Sequence, residues 1–213
     1  MEAFAGRLGK PAQSYRVRAA AALAGFERFW NAATGFCYDV LDGPHGHEDA
    51  LRPNQLFAVS LPESPLLPER QRAVLDACAG ALLCSHGLRS LAPGDSAYAG
   101  IYTGDQSHRD GAYHQGTVWA WLIGPFIAAH LRVHHDPAAA MRLLEPFADH
   151  LHAAGLGSIS EIFDGDAPFE PRGCIAQAWS VAEVLRSVRL IDAPSTRCSR
   201  NKKPATVSRK AEW

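Results

Sequence analysis

Gly116-Thr-Val-Trp-Ala-Trp-Leu-Ile-Gly-Pro-Phe-Ile-Ala-Ala-His-Leu131 decides the fold. Val118, Trp119, Leu122, Ile123, Phe126 and Ile127 recur at helical spacing and leave little polar surface, so the stretch reads as a helix buried on most sides, with Pro125 as a point for a kink. It is too short and too interrupted by Pro125 and His130 to span a bilayer.

Five further helices surround it. Tyr15, Ala19, Ala22, Phe26 and Trp30 lie on one helical face. A short second helix starts at Arg52 and Pro53, where proline suits the first turn, and is blocked by Pro62. A third runs from Pro68 to about His86, and Gly87 terminates it. Asp136 and Pro137 open a fifth that ends at Gly155, and Ile175, Ala178, Trp179, Ala182 and Leu185 mark the sixth. The expectation is an all-α chain.

The links between these helices alternate between short and long. Long ones precede helices two, four and six, over residues 31–51, 88–115 and 156–173. Loops of this length inside a compact domain are uncommon unless functional. In a chain that zigzags, all three fall on one rim, with helices two, four and six as an inner layer.

Polar groups gather at these junctions: Glu48, Asp49, Asn54 and Gln55 at the first, Arg109, Asp110, Tyr113, His114 and Gln115 at the second, and Glu161, Asp164, Asp166, Gln177 and Trp179 at the third. Carboxylates, amides and aromatic rings together suit a sugar, whose hydroxyls take hydrogen bonds and whose apolar faces stack on rings. Glu161 sits in a glycine-punctuated loop where a carboxylate can serve as general base toward water. On the residues alone, a loop-ordering or capping acid is the default for it. Asp164 and Asp166 read as turn residues, and Trp119, on an apolar stripe, reads as core ahead of a sugar clamp. His45, Gly46, His47, Glu48 and Asp49 lack a second ligand group at a defined spacing and read as a solvated loop, so neither a metal nor a cofactor is expected.

The net charge of -1 gives no reason to expect nucleic acid or a membrane surface as partner. Five cysteines without CxxC spacing and the lack of a signal-like opening point to free thiols and a cytoplasmic location. The last residues differ from the rest: 192–213 carry a net +4 and almost no aliphatic side chains, so 191–213 is expected as a disordered basic tail behind a domain at 1–190.

Four segments in order, Leu51-Arg-Pro-Asn-Gln-Leu-Phe-Ala-Val-Ser-Leu-Pro62, Arg109-Asp-Gly-Ala-Tyr-His-Gln-Gly-Thr-Val-Trp119, Ile159-Ser-Glu-Ile-Phe-Asp-Gly165 and Gly173-Cys-Ile-Ala-Gln-Ala-Trp-Ser-Val-Ala-Glu183, resemble the C-terminal region of glycogen debranching enzymes of the amylo-α-1,6-glucosidase type. The resemblance implies an α/α toroid, a six-hairpin barrel, of which about six helices would be half. It also implies inverting hydrolysis of the α-1,6-linked glucose at glycogen branch points, with Glu161 as general base and glycogen or a branched α-glucan as ligand. Asn54, Gln55, Arg109, Asp110, Tyr113, His114, Gln115, Trp119, Gln177 and Trp179 are the expected substrate contacts.

The general acid of that family lies in a Trp-Met-Asp segment, which this sequence does not contain. The expectation is therefore the C-terminal half of such a domain, inactive alone or completed by a separate polypeptide that supplies the N-terminal half. The alternatives are a non-catalytic carbohydrate-binding or assembly fragment, and a glucoamylase-like or trehalase-like glucosidase.

Overall fold

In the computed structural model, which describes residues 1–193, proline and aspartate place several helix starts where the sequence predicts them. The chain runs α1 (Glu2–Arg7), α2 (Gln13–Phe26), β1 (Trp30–Asn31), β2 (Phe36–Cys37), β3 (Val40–Gly43), β4 (Gly46–Glu48), α3 (Leu56–Ser60), α4 (Pro68–Ala81), β5 (Leu83–Cys84) and β6 (Gly87–Arg89). It continues with α5 (Gln106–Ala112), β7 (Val118–Trp119), α6 (Ile123–His134), α7 (Pro137–Arg142), α8 (Glu145–Ala153), β8 (Ile162–Phe163), β9 (Pro171–Arg172) and α9 (Ala178–Asp192). Asp136 caps α7 by accepting the Ala139 amide at 2.9 Å. The expectation of a basic tail concerns residues that, from 194 onward, lie outside the described ones.

The all-α expectation, and with it the incomplete α/α toroid of about six helices, is overturned by a five-stranded antiparallel sheet in the order β5-β6-β7-β8-β9. Two further two-stranded sheets, β1-β2 and β3-β4, add to it. The cause is local. Leu88, Val118, Trp119, Ile162 and Phe163 are buried at the junctions between helices, where water cannot satisfy their amides and carbonyls. They pair instead, Leu88 with Trp119, Val118 with Phe163 and Trp119 with Ile162. Strands of two residues are too short for alternation to announce them.

The helix count changes for related reasons, to nine α-helices among the described residues. Val118 and Trp119 belong to the sheet, so α6 begins only at Ile123, and Pro125 falls in its first turn, where a missing amide costs nothing and no kink is needed. The predicted fifth helix splits at Leu143 and Leu144 into α7 and α8, with Pro146 at the start of the second. The predicted third stops at Ala81, because Leu83 and Cys84 turn into the hairpin with β6.

Two apolar clusters hold these elements. Leu56 and Val59 of α3, Val74, Leu75 and Cys78 of α4 and Phe126 of α6 make the first. Val118, Ile123, Ile127, Phe147, Ile159 and Phe163 make the second, closed by Val181, Val184, Val188 and Ile191 of α9. Each such side chain contributes about 1.5–3 kcal/mol when fully buried. The face of α9 read from the sequence is therefore rotated: Ile175 before the helix, and Trp179 and Leu185 on it, are exposed. Helix α2 buries no residue at all, against the expectation of a packed stripe from Tyr15 to Trp30. Among the described residues no helix is long and apolar enough to cross a membrane.

Candidate active site

The sheet registers the site. Pairing of Trp119 with Ile162 brings the end of the 109–119 segment beside the loop that carries Glu161. Gly116, at φ +143°, lets the chain turn into β7; a Cβ there would stand 2.8 Å from the Ala99 carbonyl oxygen.

Glu161 is half-buried and held by donors on both oxygens. The Tyr113 hydroxyl donates to Oε1 at 2.6 Å, and the Cys174 amide donates to Oε2 at 3.1 Å. Partial burial pushes its pKa up, but hydrogen bonds from Tyr113, Cys174 and the Gln177 side chain outweigh it and leave the carboxyl below its ordinary value. The carboxylate is ionised at neutral pH, the state a proton acceptor needs. In turn, burial and then the bond to Glu161 push the Tyr113 phenol well above its usual range, so it remains a donor. The exposed Cys174 thiol is pushed up by the Glu161 charge.

Tyr113 links this carboxylate to an aromatic platform. Its ring meets Trp119 edge-on at 4.7 Å, and His114 stacks on Trp119 at 5.2 Å with the planes 7° apart. The Trp119 indole N–H donates to the Tyr113 carbonyl at 3.0 Å. Trp179 lies 6.0 Å from Trp119 and 5.8 Å from Trp121. Arg52, Asn54, Ser90, His114, Trp119, Trp121 and Trp179 line a cleft of about 310 Å³.

Arg52 organises the floor of that cleft. Its guanidinium donates to the carbonyls of Ser90 at 3.0 Å and His114 at 2.7 Å, and to Gln115 Oε1 at 2.6 Å, with Asp39 3.6 Å away. One planar fork thus ties three segments together. A second cleft of about 300 Å³, lined by Phe26, Phe29, Tyr38 and Phe57, shares Arg52 and Asn54 with the first.

Of the residues expected to bind substrate, Tyr113, His114, Trp119, Gln177 and Trp179 converge near Glu161 or on the platform. Asn54 lines the cleft and donates to Asp39 Oδ1 at 2.8 Å. Gln55 lies behind the rim, buried, with its side-chain oxygen accepting the Cys37 amide and its nitrogen donating to the Arg52 carbonyl. Gln115 is engaged by Arg52. Arg109 and Asp110 sit on α5, where Arg109 donates to the Gly104 carbonyl and Asp110 is exposed. Glu48 and Asp49 are exposed at the end of the β3-β4 hairpin. His47 accepts the Asp42 amide there, and no group of three or more metal-ligating side chains gathers among the described residues.

Asp164 does more than turn the chain. It is 1% exposed, accepts the Tyr102 amide at 2.8 Å and takes both guanidinium bonds of Arg172 through Oδ2. Arg52, Ser90, Asp39 and Trp121 were not among the residues picked from sequence. Arg52 had a signal, because it precedes Pro53 and Asn54 within a segment already singled out.

The family described as Amylo-alpha-1,6-glucosidase matches residues 1–186. The glycogen debranching enzyme of Saccharomyces cerevisiae (strain ATCC 204508 / S288c) is 30% identical over 107 residues, which cover 47% of this chain and 7% of that protein. Neutral trehalase Nth1 from Saccharomyces cerevisiae has a similar fold, with a TM-score of 0.61 at 13% identity, over 86% of this chain and 32% of that one. The chain thus spans well under half the length of either relative.

Proposed function

The chain belongs to the amylo-alpha-1,6-glucosidase family, and on that premise we propose that it carries the water-activating part of a glycosidase site for α-1,6-linked glucose at the branch points of an α-glucan. Glu161 is the base in this reading. The observation that carries it is an ionised carboxylate fixed by Tyr113, Cys174 and Gln177, with the Tyr113 ring edge-on to Trp119, one of the tryptophans that line the cleft.

In an inverting reaction the base takes a proton from water as the water oxygen attacks the anomeric carbon. The glycosidic C–O bond breaks, and an acid gives its proton to the departing oxygen. The two carboxyls stand about 6.5–9.5 Å apart, with water on the base side. The partners of Glu161 include no second carboxyl. In our reading the acid arrives from a polypeptide segment outside these residues, and that segment covers the apolar side chains of Val17, Leu23, Ile175 and Leu185 left exposed on α2 and around α9.

The test is complementation. Branched limit dextrin is incubated with the chain alone, with a polypeptide carrying the Trp-Met-Asp segment alone, and with both. Glucose release only in the mixture is the expected result; release from the mixture that survives Glu161→Gln contradicts the proposal.

The exposed indole of Trp179 beside Trp121 favours a second reading, in which the cleft binds glucan without cleaving it. Calorimetric titration with maltooligosaccharides separates the two: binding with no turnover in the complemented mixture selects this one.

A further inference from the structure

The segment that carries Glu161 is held from one side as a strand is. The Gln177 amide donates to the Ile159 carbonyl and the Glu161 amide donates to the Cys174 carbonyl, each at 2.9 Å. In an extended chain alternate amides point in opposite directions. The amide of Ser160 therefore faces away from residues 174–177, into a region where Ser160 is only 2% exposed. A buried amide without an acceptor is costly. The acceptor here is a side chain: Ser160 N donates to His150 Nε2 at 3.1 Å.

His150 stands in the last turn of α8 and is itself buried, at 5% exposure. The chain leaves α8 by folding back on it: the Gly155 amide donates to the His150 carbonyl at 2.8 Å, and the Gly157 amide to the Leu151 carbonyl at 2.9 Å. Gly155 permits the close approach, since a Cβ there would lie 1.9 Å from the Ser158 carbonyl oxygen and 3.1 Å from His150 Nε2. The ring of His150 is kept in place by Phe163 at 4.9 Å and His86 at 5.5 Å.

We infer that His150 is a positioning residue for Glu161: its Nε2, as a neutral acceptor, fixes the backbone one residue before the carboxylate and so sets where the carboxylate stands relative to Tyr113. The inference rests on the reading of Glu161 as the base. An accepting Nε2 requires the proton on Nδ1, since imidazolium has no free lone pair. Burial, and then the nearby His86, both push His150 toward the neutral form.

The test is made by NMR on the intact chain and needs no turnover. In the wild type, the His150 Nε2 nitrogen is expected to show the shift of an unprotonated ring nitrogen, and the Ser160 amide to exchange slowly with solvent. His150→Phe keeps a ring in the site but removes the acceptor, and is expected to speed Ser160 exchange about tenfold or more and to move the Glu161 titration midpoint. His150→Gln, whose side-chain oxygen reaches the place of Nε2, is expected to restore both. Three results would each overturn the assignment: a protonated Nε2 in the wild type, unchanged Ser160 exchange and Glu161 titration in His150→Phe, or no restoration by His150→Gln. If His150→Phe loses protection equally at Leu88 and across β8, the residue is core filler and the inference also fails. Because hydrolysis enters none of these readouts, an inactive Glu161 would leave them intact and would count against the functional proposal alone.

Discussion

Tyr113 donates its hydroxyl hydrogen to Glu161 Oε1 across 2.6 Å, and this bond joins two loops 48 residues apart in the chain. It stabilises the charged carboxylate, so Tyr113→Phe is expected to raise the Glu161 pKa, measured by carbon-detected titration of the side chain. The cost in stability is about 1 kcal/mol at neutral pH for one hydrogen bond to an accessible charge. It fades in acid as Glu161 protonates, because a depressed carboxyl contributes only above its folded pKa. An unmoved titration curve would mean that the bond does not hold in solution.

Arg52→Lys is expected to loosen the cleft floor. An ammonium cannot span the Ser90 and His114 carbonyls and the Gln115 side chain as the planar guanidinium does. Urea unfolding should show a loss of about 1–3 kcal/mol, and maltooligosaccharide affinity should fall with it. Affinity lost at unchanged stability would instead make Arg52 a direct ligand contact.

Asp164→Asn leaves the shape of the buried loop but removes the charge facing Arg172. With Asp164 1% exposed and Arg172 partly open to solvent, the loss should be about 2–4 kcal/mol, below the upper end for a fully enclosed pair. Thermal unfolding checks it. A change under 0.5 kcal/mol, the size typical of surface substitutions, would contradict the pairing.

His86, His130 and His150 are all held below the ordinary value of 6.5, burial being the largest cause in each. The unfolded chain then binds more protons than the folded one between the folded values and 6.5. Stability is fully present above about pH 6.5 and is lost as pH falls through the folded values. Urea midpoints at about pH 7.5 and about pH 5 should differ in that direction. Replacing His86 by Phe, which keeps the stack on Phe163 at 4.4 Å, should reduce the difference.

Much of the helical frame was legible because its signals are local. Asp136 followed by Pro137, and the proline at 68, announce helix starts through chemistry confined to a few residues. The strand pairs were not legible, since Val118-Trp119 and Ile162-Phe163 look like the ends of helical or loop segments until their partners are known. The face of α9 was misread because Ile175, Trp179 and Leu185 are as apolar as Val181, Val184 and Val188; what decides between the two stripes is what packs against them. The convergence of Tyr113, His114, Trp119 and Trp179 around Glu161 and the platform was legible by motif, because these residues lie on or beside the three long junctions. Asp39 and Ser90 were missed because their roles consist of contacts with Arg52, and a carbonyl acceptor such as that of Ser90 leaves no mark on residue type. His150 was missed likewise: a histidine in the last turn of a helix, between Asp149 and His152, does not disclose that its ring nitrogen accepts from an amide ten residues on.

In the proposed reaction Glu161 activates water for inverting hydrolysis. Proton NMR of the glucose first released from branched limit dextrin, by the chain complemented with the Trp-Met-Asp polypeptide, tests it most directly. The β-anomer is expected to appear first, and Glu161→Gln to lower its rate by about 10²–10⁴-fold. Initial release of the α-anomer, or a Glu161→Gln variant as fast as the wild type, would contradict it.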